Sequence, residues 1–199
     1  MSKGRLFVIT GPSGVGKGTL IKELLRRVPG LELSVSATTR PPRQGERDGT
    51  DYHFLSEEAF SRRLQEGDFM EHASYSGARY GTLVSEVDPR LERGIGVVLE
   101  IELQGARQVR SRMPEAVLVF VAPPAPEALR ERLERRGTDT PEEIRRRLEV
   151  ADGELAAQGE FRHVIVNDDL DRAADALADL VRAELGRQDG ADGGPDKIA

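Results

Sequence analysis

Apolar runs that suit buried strands alternate along this chain with segments whose apolar residues recur at helical spacing. Leu6–Thr10 predicts the first strand, and the helical pattern after it stops at Pro29. Continuous apolar runs at 97–101 and 117–121 predict strands that are buried on both faces. This alternation is typical of a parallel sheet with crossover helices, so we predict an α/β fold.

The C-terminal part carries clear helix start signals. Pro126 suits the first position of an arginine-rich helix, and Thr140 with Glu143 forms a capping box for the next one. A last strand at 163–167 is followed by a final amphipathic helix. Beyond that helix the composition shifts to Gly, Asp and Ala, which predicts a disordered tail at 187–199.

The middle of the chain predicts an inserted lobe. A short strand at 31–35 leads into a polar segment at 37–49 that is too long and too charged for a plain connection. Strand-like residues 52–55, a short helix at 57–65 and an alternating segment at 69–75 follow it. Long polar loops of this kind usually carry function.

A glycine-rich loop lies between the first strand and the first helix. Gly11, Gly14 and Gly16 allow backbone angles that turn successive N–H groups onto phosphate oxygens. Lys17 adds a mobile cation, and the helix that begins there adds its positive end. The loop therefore predicts a site for a nucleoside triphosphate. Its residues are Gly11, Pro12, Ser13, Gly14, Val15, Gly16, Lys17, Gly18 and Thr19.

Composition narrows the class of protein. The chain has 199 residues, 38% of them hydrophobic and 32% charged, and no cysteine. A disulfide framework and a thiolate metal site are excluded, and we expect a cytoplasmic protein. No apolar run approaches the ~18 residues of a membrane span, so we expect no membrane partner. The net charge of −6 argues against nucleic acid, whereas local arginine clusters favour a small anionic ligand.

Several motifs in one order resemble guanylate kinases over nearly the whole chain. The most specific is 36–46, which reads Ser-Ala-Thr-Thr-Arg-Pro-Pro-Arg-Gln-Gly-Glu. The others are residues 51–54, Glu71, 80–82, 104–106, 122–124, 132–138 and 166–170. The resemblance implies a P-loop NTPase-type core at 1–33, 85–124 and 161–186, a GMP-binding lobe at 34–84, and a helical lid with connecting helices at 125–160.

The resemblance also implies an acceptor site in the lobe. Arg40, Arg43, Tyr52 and Tyr80 match positions that bind the acceptor phosphate, and guanidinium forks suit a phosphate dianion. The positions that read guanine are matched by Ser36, Glu71, Thr82 and Glu102, and Glu46 and Gly81 belong to the same GMP-binding motifs. A carboxylate such as that of Glu71 can accept from both N1–H and N2–H₂ of guanine, but it would face a lone pair of adenine.

On the donor side, the resemblance places the lid arginines Arg132, Arg136 and Arg147 over the triphosphate and Asn167 near adenine. Transfer of a phosphoryl group needs alignment and charge neutralisation rather than a covalent protein group. The residues that we expect to carry catalysis are Lys17, Arg40, Arg136 and Arg147.

The loop departs from the common pattern at the residue after the lysine. A Ser or Thr hydroxyl there usually binds magnesium, but this chain has Gly18, and Thr19 is turned by about 100° along the helix. The same variant resembles the loop of adenylate kinases. We therefore expect Mg²⁺ to arrive with ATP, held by phosphate oxygens and water, with Glu100 at most a partner through a water. Glu100 and Glu102 stand where the family commonly has the shorter aspartate.

These features together predict a guanylate kinase that converts ATP and GMP to ADP and GDP. One alternative is the same architecture with another acceptor; Glu71 argues against AMP, whereas dGMP suits a second substrate. The other is a guanylate-kinase-like interaction module that has lost catalysis and binds peptides. Lys17 and the paired arginines argue against that module.

Overall fold

Every residue of the first apolar run is buried, and the run forms strand β1 at the centre of a parallel sheet. The computed structural model describes residues 3–75, 77–136 and 140–191. The strands are β1 Leu6–Thr10, β2 Leu31–Leu33, β3 Ala37–Thr38, β4 His53–Phe54, β5 Phe69–Tyr75, β6 Ala78–Leu83, β7 Gly96–Glu100, β8 Val117–Ala122 and β9 His163–Val166. The helices are α1 Lys17–Arg27, α2 Glu57–Gln65, α3 Val84–Glu92, α4 Leu103–Arg112, α5 Glu127–Arg136, α6 Pro141–Ala156 and α7 Leu170–Ala191, with a 3₁₀ turn at Ala157–Glu160.

The core sheet has the order β2-β7-β1-β8-β9, and all its pairings are parallel. Its strands are covered on both faces, as the continuous apolar runs predict. Phe7 and Ile9 of β1 face a cluster that includes α1 and α7, whereas Leu6 and Val8 face a cluster that includes α3 and α4. The predicted α/β class is confirmed.

The chain between β2 and β7 forms a second sheet, ordered β4-β3-β6-β5, in which β6 pairs antiparallel with both neighbours. Its small core stacks Phe60 of α2 on Phe69 of β5, with ring centroids 4.3 Å apart. Glu71 lies directly opposite Thr82 across the β5–β6 pair. Because directly paired residues point to one face of a sheet, their side chains meet.

Several boundaries differ from the sequence predictions. Strand β2 ends at Leu33 rather than at residue 35, β4 is shorter than 52–55, and β3 lies inside the segment predicted as a polar loop. The sequence also misses α3 and α4, because each contains a residue that disfavours helix interiors, Pro89 and Gly105 respectively.

The last helix is longer than predicted. It continues to Ala191, past the start of the predicted tail at 187, and Arg187 pairs with Glu184 one turn earlier. Residues 192–199 lie outside the described part of the chain. Within that part, no helix is both long and apolar enough to cross a membrane.

Candidate active site

The glycine-rich loop has the backbone shape that an anion site needs. The φ angles of Gly11, Gly14 and Gly16 are 146°, 85° and 96°, a region that favours glycine. Gly16 is the N-cap of α1 and has no side chain to occupy the helix N-terminus. Lys17 is 9% exposed, and its Nζ donates to the Gly11 carbonyl at 2.6 Å. Backbone N–H groups, a helix N-terminus and an ammonium group therefore meet at one point.

Two residues predicted for the ATP site hold the outer side of this loop. Arg132 of α5 donates to the Val15 carbonyl at 2.8 Å and to the Asn167 carbonyl at 2.7 Å. The Asn167 side chain is buried and donates to the same Val15 carbonyl at 2.8 Å. Both side chains thus support the phosphate loop through its backbone.

For the other two predicted lid arginines, Arg136 and Arg147, the structure describes fewer contacts. Arg136 is the last residue of α5, and its side chain lies outside the described part of the structure, as do residues 137–139. Arg147 lies half-buried on α6 and interacts electrostatically with Glu143. The predicted capping box at the start of α6, Thr140 with Glu143, is confirmed.

A cleft of about 340 Å³ opens between the core sheet and the inserted lobe. Every residue predicted for the acceptor lines it except Thr82, which is fully buried behind Glu71. Lys17 and Glu100 also line the cleft, so the acceptor residues and the phosphate loop share one cavity. The sequence separates these groups by up to about 85 residues, and the fold brings them together.

One end of the cleft is basic and built around Arg40. Glu46 binds the guanidinium of Arg40 in a bidentate pair, with both N–O distances at 2.9 Å, and also accepts from the Arg43 backbone N–H at 2.7 Å. The guanidinium carbon lies 5.2 Å from the centroid of the Tyr52 ring, and the Tyr80 side chain interacts electrostatically with Arg40. These contacts fix the direction of the fork.

The other end is acidic and more deeply buried. Glu71 is 3% exposed, and its Oε1 accepts from Thr82 Oγ1 at 2.7 Å. Burial raises the pKa of Glu71 to about 7, and the Thr82 hydrogen bonds oppose that shift. Glu102 lines the same end at the N-cap of α4. A buried acceptor of this kind is suited to N–H donors of a ligand.

The side chains near the phosphate loop fit a magnesium ion that is held mainly by phosphate oxygens. A Cβ built on Gly18 would lie 3.4 Å from Glu100 Oε2, so this carboxyl sits over the position where other loops have a hydroxyl. The side chain of Glu100 reaches solvent through the cleft, yet the surrounding protein raises its pKa, while Lys17 opposes the shift. Thr19 is exposed. Among the described residues, no group of three His, Cys, Asp or Glu side chains could hold a metal.

Comparison with known proteins identifies the family. A family model described as guanylate kinase matches residues 3–184. The chain belongs to the guanylate kinase family. It is 52% identical to a guanylate kinase of Rubrobacter xylanophilus over 92% of this chain and 95% of the relative, and 54% identical to one of a Synechococcus species over 90% and 93%. The crystal structure of guanylate kinase from Anaplasma phagocytophilum superposes with a TM-score of 0.76 at 32% identity, covering 92% of this chain and 87% of that one.

Sequence reasoning misses one buried carboxyl beside the phosphate loop. Glu154, at the C-terminal end of α6, is 7% exposed and accepts from the Ser13 backbone N–H of the phosphate loop at 3.3 Å. Glu102 lies near enough to this carboxyl for their charges to interact, and burial together with that interaction raises the pKa of Glu154. Its position on an amphipathic helix gives no signal, because the contact to Ser13 spans 141 residues.

Two further residues of the cleft are also missed by the sequence analysis. The Tyr75 hydroxyl at the end of β5 donates to Ser13 Oγ at 3.4 Å, which joins the lobe to the phosphate loop. Ser34 lines the cleft, and its buried hydroxyl has no hydrogen-bond partner within the described chain. Only the three-dimensional structure shows that both residues lie at the cleft.

We expect Glu154→Gln to flatten the pH dependence of stability. Burial, followed by the Glu102 carboxylate, raises the pKa of Glu154 from its ordinary 4.5 to about 8. This contribution to stability is complete below about pH 4.5 and is lost as the pH rises towards 8. Between about pH 6 and pH 8 the free energy of unfolding should therefore fall by roughly 1–2 kcal/mol less in the variant than in the wild type.

Urea denaturation at a series of pH values measures this difference. Glu149→Gln, on the exposed face of the same helix and paired with Arg145, is the matched control. Equal pH slopes for the wild type and Glu154→Gln would show that the buried carboxyl titrates normally.

Proposed function

We propose that this protein transfers the γ-phosphoryl group of ATP to GMP, giving ADP and GDP. The observation that carries the proposal is the shared cleft, in which the phosphate loop with Lys17 faces an acceptor site that ends in the buried Glu71 carboxyl. Membership of the guanylate kinase family supports the same reaction. The cytoplasmic location expected from the sequence belongs to this proposal.

The acceptor cleft is suited to GMP at both its basic and its acidic end. Arg40, Arg43, Tyr52 and Tyr80 supply cations and hydroxyls for the phosphate, with Glu46 fixing Arg40. At the acidic end, Glu71 accepts from N1–H and N2–H₂ of guanine. The base site is completed by Ser36, Gly81, Thr82 and Glu102. Adenine offers an acceptor at N1 and would leave a buried carboxylate unpaired, which a polar site rejects strongly.

At the donor end the protein acts by positioning and by charge. The loop residues Gly11–Thr19 cradle the phosphates of ATP through their N–H groups, and Lys17 follows the charge as the phosphoryl group moves. Arg132 and Asn167 hold the loop in shape through Val15. Arg136 and Arg147 of the lid helices complete the neutralisation of charge when both nucleotides are bound.

Magnesium is part of the proposal as the ion that ATP brings. When bound, it offsets phosphate charge and orients the transferred group. Glu100, which lies over Gly18, would contact it through water, and Thr19 would not be a direct ligand because it is exposed on another face of α1.

Release of ADP from ATP in the presence of GMP, AMP or dGMP tests the function directly. We expect rapid turnover with GMP, slower turnover with dGMP and negligible turnover with AMP. Turnover with AMP in place of GMP would assign another acceptor. The absence of turnover with every nucleotide, together with binding of a peptide in the cleft, would identify a non-catalytic interaction module.

Lys17→Ala should leave the protein folded and lower kcat on the order of 10²-fold or more, because one preorganised cation is lost from the transition state. Arg26→Ala, which removes a cation from the exposed face of the same helix, is the control and should retain wild-type turnover. Steady-state kinetics with circular dichroism would measure both. Near-normal kcat in folded Lys17→Ala would refute phosphoryl transfer at this loop.

Arg40→Ala and Arg43→Ala should each raise the KM for GMP by roughly 10- to 100-fold, the loss expected for a charge-assisted hydrogen bond, with little change in the KM for ATP. Arg47→Ala, in the same loop and exposed, is the matched control. Two-substrate kinetics separates the two constants. Equal effects on both nucleotides would move these arginines to the donor site.

Glu71→Gln should reduce discrimination between GMP and AMP by roughly 1–3 kcal/mol, because an amide replaces one charge-assisted acceptor with a donor. The wild-type KM for GMP should also fall as the pH rises through about 7, because guanine requires the ionised carboxylate and its pKa is about 7 in the protein.

Kinetics of both proteins between about pH 6 and pH 8 tests this prediction. The phosphate of GMP titrates near pH 6, so the variant serves as the reference for that effect. An unchanged GMP to AMP ratio in Glu71→Gln would show that Glu71 does not read the base.

A further inference from the structure

The carboxyl that reads the base in the proposed function lies against the backbone of a helix. Glu71 projects from β5 towards the first turn of α4, where Gly105 is buried. A Cβ built on Gly105 would overlap Glu71 Oε2, would lie 3.0 Å from its Cδ and would also meet Ile101 Cδ1 at 3.3 Å. The two carboxyl oxygens therefore have different neighbours: Oε1 meets the Thr82 hydroxyl, and Oε2 meets the space left by a missing side chain.

Gly105 is not required by the backbone of α4. It adopts helical angles and is absent from the glycines with positive φ, so alanine fits its conformation. Glycine is also less favourable than alanine within a helix. A second glycine, Gly153 of α6, gives a useful contrast, because a Cβ built there has no atom within 4 Å. The constraint at Gly105 is thus the room needed by the Glu71 carboxyl.

We propose that Gly105 is a specificity-determining residue that acts through Glu71. Because Gly105 has no side chain, the Glu71 carboxyl can approach α4 and still keep its hydrogen bond to Thr82. This position of the carboxyl determines how far Glu71 reaches towards the base. The inference rests on the proposed function, in which Glu71 accepts from guanine. It adds a positioning residue that does not itself touch the nucleotide.

A side chain at Gly105 would be tolerated by the fold but not by the site. The atoms nearest to the added Cβ belong to the end of the flexible Glu71 side chain. The carboxyl would therefore rotate away from Thr82, and α4 would stay in place. Guanine would then lose one or both acceptors. Loss of a single hydrogen bond to a charged partner corresponds to roughly 10- to 100-fold in binding.

The experiment compares the wild type, Gly105→Ala and Gly153→Ala. It measures kcat and KM for GMP, IMP and AMP with ATP saturating, and the KM for ATP with GMP saturating. IMP lacks the exocyclic amine of guanine, so the GMP to IMP ratio reports the contact between carboxylate and amine. Gly105→Ala should raise the KM for GMP by roughly 10- to 100-fold, lower the GMP to IMP ratio by a similar factor and leave the KM for ATP within about twofold. Gly153→Ala should match the wild type in all three values.

A double variant tests the contact itself. Glu71→Asp shortens the side chain by one methylene and makes room for a Cβ at position 105, so Gly105→Ala combined with Glu71→Asp should lose less GMP affinity than the two single losses multiplied. If Gly105→Ala fails to fold, recovery of folding in the double variant supports the contact and continued failure overturns it.

The outcomes separate this inference from the proposed function. If the wild type does not turn over GMP, both the proposed function and this inference are overturned. A wild type that prefers GMP, together with a folded Gly105→Ala that keeps the wild-type GMP to IMP ratio, would overturn the role of Gly105 alone. Strictly multiplicative effects in the double variant would also overturn it.

Discussion

The shape of the phosphate loop depends on side chains that donate hydrogen bonds to its carbonyl groups. A loop whose N–H groups converge on an anion must turn its carbonyls elsewhere, and buried carbonyls need partners. Arg132 and Asn167 both donate to Val15, and Lys17 donates to Gly11. These donors come from α5, the end of β9 and the loop itself. The shape of the donor site is therefore a property of the assembled core and not of the glycines alone.

The same loop is joined by polar contacts to the inserted lobe and to α6. Tyr75 reaches Ser13 from the inserted lobe, and Glu154 reaches the Ser13 N–H from the last turn of α6. Glu154 in turn interacts electrostatically with Glu102 at the acidic end of the cleft. One loop residue, Ser13, thus contacts both the inserted lobe and α6, so the position of the phosphate loop depends on both.

The sequence predicts the parts of the site whose chemistry is local. The loop 11–19, the capping box at Thr140 and the strand β1 each depend on neighbouring residues, and the structure contains all three. The roles of Glu154 and Gly105 could not be found in this way. Their roles depend on contacts to Ser13 and Glu71 across 141 and 34 positions, and an acidic residue or a glycine in a helix gives no local sign of such a contact. The family resemblance supplied the acceptor residues because their motifs, unlike these contacts, are contiguous in the chain.

The two ends of the cleft have opposite electrostatic character, and this polarity is the main argument for a nucleoside monophosphate as its occupant. At the basic end the Arg40 fork is balanced by a singly charged carboxylate, Glu46, and a phosphate dianion is the stronger partner for the combined field of Arg40 and Arg43. At the acidic end, burial raises the pKa of Glu71, so the ionised form is costly until N–H donors arrive. A ligand with a dianion at one end and two adjacent N–H donors at the other satisfies both ends at once. Adenine nucleotides satisfy only the first, so in the proposed function the buried carboxyl, rather than the arginines, carries the choice of base.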